Sequence, residues 1–235
     1  MKIEKHGYFT KNELRLWLIS AGLILVSFAL FGRENVLLLT ASLIGVTSLI
    51  FNAKGNPVGQ FLMVVFSVIY GIISYGFAYY GEMITYVGMS GPMAAFSLIS
   101  WLKHPFHGNL SEVKINHIRR KEISLMFLAS GIVTWIFYYI LRHFNTANLI
   151  PSTISVTTSF LGVYLTFRRS EYYALGYAAN DVVLIILWVL ASMENLSYVS
   201  MIVCFVVFLI NDLYGFFSWR KMRLNQAIRD KRDES

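Results

Sequence analysis

The chain has 235 residues and a formal net charge of +7, yet 56% of it is apolar and only 14% is charged. An ordinary soluble domain carries about 25% charged residues, and here the charges collect between long apolar runs. That pattern excludes a soluble globular class, and the placement of the basic residues makes nucleic acid unnecessary as an explanation of the net charge.

A polar N-terminal segment, 1–13, precedes the first apolar run at 14–31. No removable signal peptide is expected, because this run is too long and lacks a small-residue cleavage site. Further spans are expected at 36–51, 60–79, 83–102, 123–143, 149–167, 171–192 and 197–218, with 36–51 the shortest. Each approaches the length the hydrocarbon core requires. The apolar residues are continuous, whereas a barrel strand alternates over about ten residues. The fold class is therefore an all-α polytopic membrane protein with eight transmembrane helices. A loop at 103–122 and a tail at 220–235 are basic. The single cysteine, Cys204, lies inside a span, so no disulfide framework is expected.

With the N-terminus in the cytoplasm and sides alternating, only Arg33 and Arg142 of the 20 Lys and Arg fall outside. Positive-inside asymmetry requires such a bias, and removing one span would scramble it. The reading is a multi-pass protein of the bacterial inner membrane with both termini cytoplasmic. The basic clusters then serve as anchors against anionic lipid. Glu82 and Glu194 fall on short outside turns.

Shifted on itself by roughly 117 residues, the chain shows an internal repeat. Leu43-Ile44-Gly45-Val46 meets Phe160-Leu161-Gly162-Val163, and Gly59 meets Gly176. With one more residue of offset, Trp101-Leu102-Lys103 meets Trp219-Arg220-Lys221. Residues 36–102 form one three-helix unit, 123–143 a linker helix, and 149–219 the second unit. The odd linker makes the repeats parallel, an arrangement known in SWEET-type transporters, and 14–31 is an additional helix. Transporters of this kind often bind substrate near the midplane between repeats.

Two spans carry acidic residues at depth: Asn180-Asp181 and Asn211-Asp212. A carboxylate at a helix centre costs about 2.5–3.5 kcal/mol on insertion scales. Counted from the turn at Met193–Leu196, Asp181 and Asp212 lie roughly 18 and 22 Å deep, in one layer. The pairs can converge as a polar substrate site, or they can serve as hydrogen-bonded helix glue. Asp212 also lies within reach of Arg220 or Arg223. Trp188 shares a face with Asp181, and Tyr214 lies one turn beyond Asn211. Tyr70, Tyr75, Tyr79, Tyr80 and Tyr86 are the aromatic candidates of the first repeat. Tyr79, Tyr80, Trp101 and Trp219 lie near span ends and read as interfacial anchors, whereas Trp188 and Tyr70 are deeper. Aromatic faces beside Asn and Asp suit a flat, cationic heteroaromatic ring. Gln60 opens its span, and Gly91-Pro92 interrupts another, where a freed carbonyl can line a cavity. The candidate substrate residues are Asn180, Asp181, Trp188, Asn211, Asp212, Tyr214, Tyr70 and Gln60.

No Walker A, G-x-S-x-G, H-E-x-x-H or paired-cysteine pattern is present. ATP hydrolysis by the chain itself, an enzyme activity and a cofactor are therefore not expected. His104 and His107 bracket Pro105-Phe106 without a carboxylate or thiol cluster, which makes a poor metal site.

Tyr80-Gly81-Glu82-Met83-Ile84, Gly91-Pro92-Met93 and Ser100-Trp101-Leu102-Lys103 resemble the first repeat of the PnuC family. Asn180-Asp181 with Trp188, and Asn211-Asp212-Leu213-Tyr214-Gly215 with Trp219, resemble the second. The resemblance spans 36–222. It implies a 3+1+3 core that carries a vitamin precursor, chiefly nicotinamide riboside, for NAD biosynthesis. It also implies facilitated diffusion, with a cytoplasmic kinase trapping the substrate as its phosphate. Asn180, Trp188, Asn211 and Tyr214 match the family's cavity positions, and the Asp after each Asn departs from its pattern. Relatives carry thiamine, riboflavin or deoxyribonucleosides, which stand as alternative substrates. A membrane-embedded enzyme or structural subunit is the alternative of another class. The partners expected are the small solute and the lipid bilayer, without nucleic acid and with room for a homo-oligomer.

Overall fold

A computed structural model describes residues 8–32, 36–76 and 80–233. Tyr79, Arg33, Lys2, Lys5 and the end of the expected span 60–79 lie outside them. The described residues form helices α1 (Lys11–Phe31), α2 (Val36–Ala53), α3 (Pro57–Gly76) and α4 (Tyr80–Thr85). A π-helical turn, Tyr86–Ser90, leads into α5 (Gly91–Lys103). A short antiparallel hairpin of β1 (Pro105–Phe106) and β2 (Asn109–Val113) follows. Then come α6 (Arg120–His143), α7 (Leu149–Phe167), α8 (Tyr173–Ser192), a 3₁₀ turn at Leu196–Tyr198 and α9 (Val199–Asp233). Eight helical stretches are long and apolar enough to cross a membrane, with α4, the π turn and α5 acting as one. The protein is a multi-pass membrane protein of the expected all-α class.

Local chemistry sets the helix limits. Thr10 and Glu13 close a capping box at the start of α1. Gly55 has φ +65°, a left-handed turn between α2 and α3, and Pro57 opens α3 where its missing N–H costs nothing. The turn between α7 and α8 uses Arg169 at φ 57° in the same role. The residues that matched in the sequence repeat have a packing reason. A Cβ on Gly59 would lie 2.7 Å from the Asn52 backbone nitrogen, and one on Gly176 would lie 2.7 Å from the Gly162 Cα. Only glycine lets α3 close on α2 and α8 close on α7.

Trp101 and Trp219, expected as interfacial anchors, are instead fully buried at 0% exposure. The Trp101 indole donates to the Thr166 carbonyl at 3.0 Å, and the Trp219 indole donates to the Asn52 carbonyl at 2.7 Å. Ser100 donates to the Phe167 carbonyl and Ser218 to that of Ala53. Each half thus caps the last carbonyls of the other half's first helix, which have no partner within their own helix. The two indoles meet between the halves with centroids 5.3 Å apart. A position near a span end looks the same in sequence whether its ring faces lipid or the partner half.

The loop 103–122 is more structured than a basic linker. Val113 N–H donates to the Gly55 carbonyl and Asn116 N–H to that of Arg169, both at 3.0 Å. The loop therefore ties the equivalent turns of the two halves together. The expected tail at 220–235 continues α9 without a break as far as Asp233. It docks on the hairpin through Gln226 to the Val113 carbonyl at 2.9 Å, Arg229 to Glu112 and His107 to Asp230.

The additional helix α1 packs on α2 and α9. Trp17 donates to Thr47, and buried Glu13 pairs with Lys54 at 3.2 Å.

Candidate functional site

The candidate residues separate into four places. At the hairpin end, Gln60 donates to the Asn52 side-chain oxygen at 2.8 Å, Asn52 donates to Ser48, and Ser48 donates to the Gly59 carbonyl. This closed polar network holds the α2–α3 turn together. Along the α1 seam, Asn211 donates to Ser20 on α1 at 2.9 Å and to the Val207 carbonyl at 2.8 Å. Tyr214 donates to Glu13 at 3.3 Å. Both residues face the additional helix.

Between α8 and α9 the Asp181 and Asp212 side chains face each other. One Asp181 oxygen is buried without a partner. Asn180 turns to α7, where its oxygen accepts from Ser155 at 3.0 Å and Thr158 at 2.9 Å. The two acids therefore converge, while Asn180 and Asn211 point to opposite sides.

The fourth place is a cavity of about 240 Å³ at the end of the bundle opposite the hairpin. Its size is near the lower end of the roughly 300–1,000 Å³ range of small-ligand sites. It lies between the start of α4, the α6–α7 turn and the last turns of α8. Trp188 is only 7% exposed and forms one wall. Glu82, Asn145, Asn148 and Ser152 contribute the polar lining. A deeper extension of about 30 Å³ shares Glu82, Thr146, Ser152 and Leu187 and reaches Tyr86, Ser155 and Ser159.

Beneath Glu82 sits an aromatic pair, with the Tyr70 and Tyr86 rings 4.4 Å apart. Tyr70 and Tyr86 both lie beside Glu82, and Tyr86 also neighbours Asp181. A line of polar and aromatic groups thus descends from Glu82 and Trp188 through Tyr70 and Tyr86 to the Asp181–Asp212 contact. The break in the fourth span positions its upper part. Pro92 has no N–H, and the Gly91 N–H reaches back to the Tyr86 carbonyl in a π turn. Such turns re-aim side chains and recur at functional sites.

A model of the nicotinamide mononucleotide transporter family matches residues 35–221. The chain belongs to this family. Among curated proteins, it is 27% identical over 227 residues to the nicotinamide riboside transporter PnuC of Neisseria mucosa. That match covers 94% of this chain and 85% of the relative. Among solved structures, it resembles the crystal structure of the vitamin B3 transporter PnuC with a TM-score of 0.79 at 23% identity. The likeness covers 94% and 95% of the two chains and shows a shared fold. As a member of a transporter family, the chain moves a solute rather than transforming one.

Glu82, which the sequence reading places on an outside turn and not among the candidate residues, lies in the first turn of α4 and lines the cavity. The acidic residue at the start of a helix was the available signal. A carboxylate there is also stabilised by the helix dipole, so the signal had two meanings.

Proposed function

We propose that this protein carries nicotinamide riboside across the bacterial inner membrane by facilitated diffusion, with a cytoplasmic kinase trapping it for NAD synthesis. The hairpin end and both termini face the cytoplasm in this reading, and the cavity opens to the outside. The observation that carries the substrate is the lining of that cavity. Trp188 offers an aromatic face to a cationic ring, and Asn145, Asn148 and Ser152 offer hydrogen bonds to ribose hydroxyls and a carboxamide. Among the described residues no Lys or Arg lines either part of the cavity, and Glu82 does. A mononucleotide would bring a doubly charged phosphate beside that carboxylate, with no cationic side chain to receive it. The unphosphorylated riboside therefore fits better than the nucleotide in the family's description. Asn180 supports the deeper wall through Ser155, while Asp181 and Asp212 lie further along the same path.

The same wall suits thiamine, which also carries a permanent positive charge on an aromatic ring, so thiamine belongs in the test. Purified protein in liposomes should equilibrate labelled nicotinamide riboside without ATP or a proton gradient. Enclosing a riboside kinase and ATP should convert equilibration into accumulation. Uptake of thiamine but not of the riboside would reassign the substrate. Accumulation without kinase that collapses with a protonophore would overturn uniport and bring in the Asp181–Asp212 contact, since buried carboxylates relay protons.

A further inference from the structure

Glu82 is the acidic residue of the cavity, and it lines both the wide part and the deeper extension. Tyr70 lies beside its carboxylate, and Glu82 borders a space that Trp188 closes from α8. The segment that carries it is held tightly. A Cβ on the neighbouring Gly81 would lie 2.4 Å from the Thr146 hydroxyl and 2.5 Å from Leu141, so α4 is pressed against α6 and the α6–α7 turn. The π turn below separates the aim of α4 from that of α5. Glu82 is half-buried, no Lys or Arg among the described residues lines the cavity beside it, and an arriving cation would complement its charge. Stabilisation by the helix dipole explains an acid in the first turn of α4. It does not explain why the acid borders a cavity walled by tryptophan.

We propose that Glu82 is the charge-recognising residue of this cavity: its carboxylate receives the positive ring of the substrate while Trp188 covers the ring's face. The proposal rests on the reading of the cavity as a nicotinamide riboside site. It assigns Glu82 a selectivity that shape alone does not give. The reduced, dihydronicotinamide form of the riboside has nearly the same outline and no positive charge. Nicotinic acid riboside replaces the carboxamide with a carboxylate that Glu82 would repel. Tyr70 is the positioning residue that holds the carboxylate toward the cavity.

The test is calorimetric titration of the full chain in detergent with these three ribosides, using the parent, Glu82→Gln, Glu82→Asp and Tyr70→Phe. The parent should prefer the cationic riboside over both analogues. Glu82→Gln should weaken the cationic riboside by roughly tenfold to a hundredfold, the range of a hydrogen bond to a charged group. It should leave the neutral dihydro form nearly unchanged and improve nicotinic acid riboside. Glu82→Asp keeps the charge and should retain the order of preference even if Glu82→Gln is poorly folded. Tyr70→Phe should reduce the preference for the cation without abolishing binding. If Glu82→Gln, or Tyr70→Phe where Glu82→Gln does not fold, binds all three ribosides with the parent's ratios, charge recognition by Glu82 is wrong. If the parent binds none of the three, the substrate reading itself fails.

Discussion

The two ends of this bundle are built differently. At the hairpin end, Trp101 and Trp219 exchange caps between the halves, the central loop bonds to both turns, and the extended α9 clasps the hairpin. Ion pairs reinforce it: Glu13 with Lys54, Glu122 with Arg168, and Glu171 with Arg223. The neighbouring Glu122 carboxylate raises the Arg168 guanidinium above its ordinary range, while burial lowers Arg169 beside it. At the opposite end, helices part around a cavity, and the fourth span is broken below it. In the proposed reading, one end carries stability and the other carries recognition.

The comparison breaks most completely if the ends face the wrong compartments. A reporter fused after Ser235 should report cytoplasm, and one inserted near Glu194 should report the outside. A C-terminus on the outer side would put the sealed end where solute arrives.

The next largest effect concerns the tryptophan exchange. Trp219→Ala removes a fully buried ring and the indole donor to the Asn52 carbonyl, which keeps only the Gly55 N–H. Large-to-small changes of this kind cost about 3–5 kcal/mol in well-packed cores. Trp101→Ala should cost a similar amount, because its contact with Thr166 mirrors the first. Thermal melts of the purified variants should show both losses, with Trp219→Phe intermediate. Unchanged melting for both Ala variants would mean that the halves are joined elsewhere.

The spans were legible because the bilayer demands long apolar runs, and composition reports those directly. What followed the membrane surface was not. The hairpin at 105–113 and the polar end of α9 beyond Ser218 have no apolar run to mark them, and they are held by Gln226, Glu112 and Arg229 instead. The polar layer was legible as a layer, since Asp181 and Asp212 do meet. The direction of its amides was not. Whether Asn211 points to the cavity or to Ser20 depends on where α1 packs; Glu13, Ser20 and Ser27 share one face of α1 at seven-residue spacing, but that face does not say which helix it meets.

Trp188 tests the open end alone. Trp188→Ala removes the aromatic wall, and a cation–π contact is worth about 0.5–2 kcal/mol, or roughly twofold to thirtyfold in affinity. Trp188→Phe should keep part of that binding. Trp188 also packs on Tyr198 at 5.3 Å, so melting should be measured alongside calorimetry to separate lost stacking from lost packing. Parental affinity in a folded Trp188→Ala variant would place the ring site away from this cavity.

Tyr214 gives the smallest effect and the sharpest division between the ends. Resemblance to the family places it among the substrate residues, whereas the fold turns its hydroxyl to Glu13 at the α1 seam. Tyr214→Phe keeps the ring and removes that single hydrogen bond, which is worth about 0.5–1.5 kcal/mol net. Glu13 retains Lys54 and the Thr10 backbone as partners, so its carboxylate is not abandoned. The expected outcome is a small fall in melting temperature with riboside affinity unchanged. Measured beside Trp188→Ala, it should give the opposite pattern, with stability touched and binding spared. A tenfold loss of affinity in Tyr214→Phe would show instead that α9 turns during transport and brings Tyr214 to the solute. The seam with α1 would then be a moving part of the carrier rather than a fixed one.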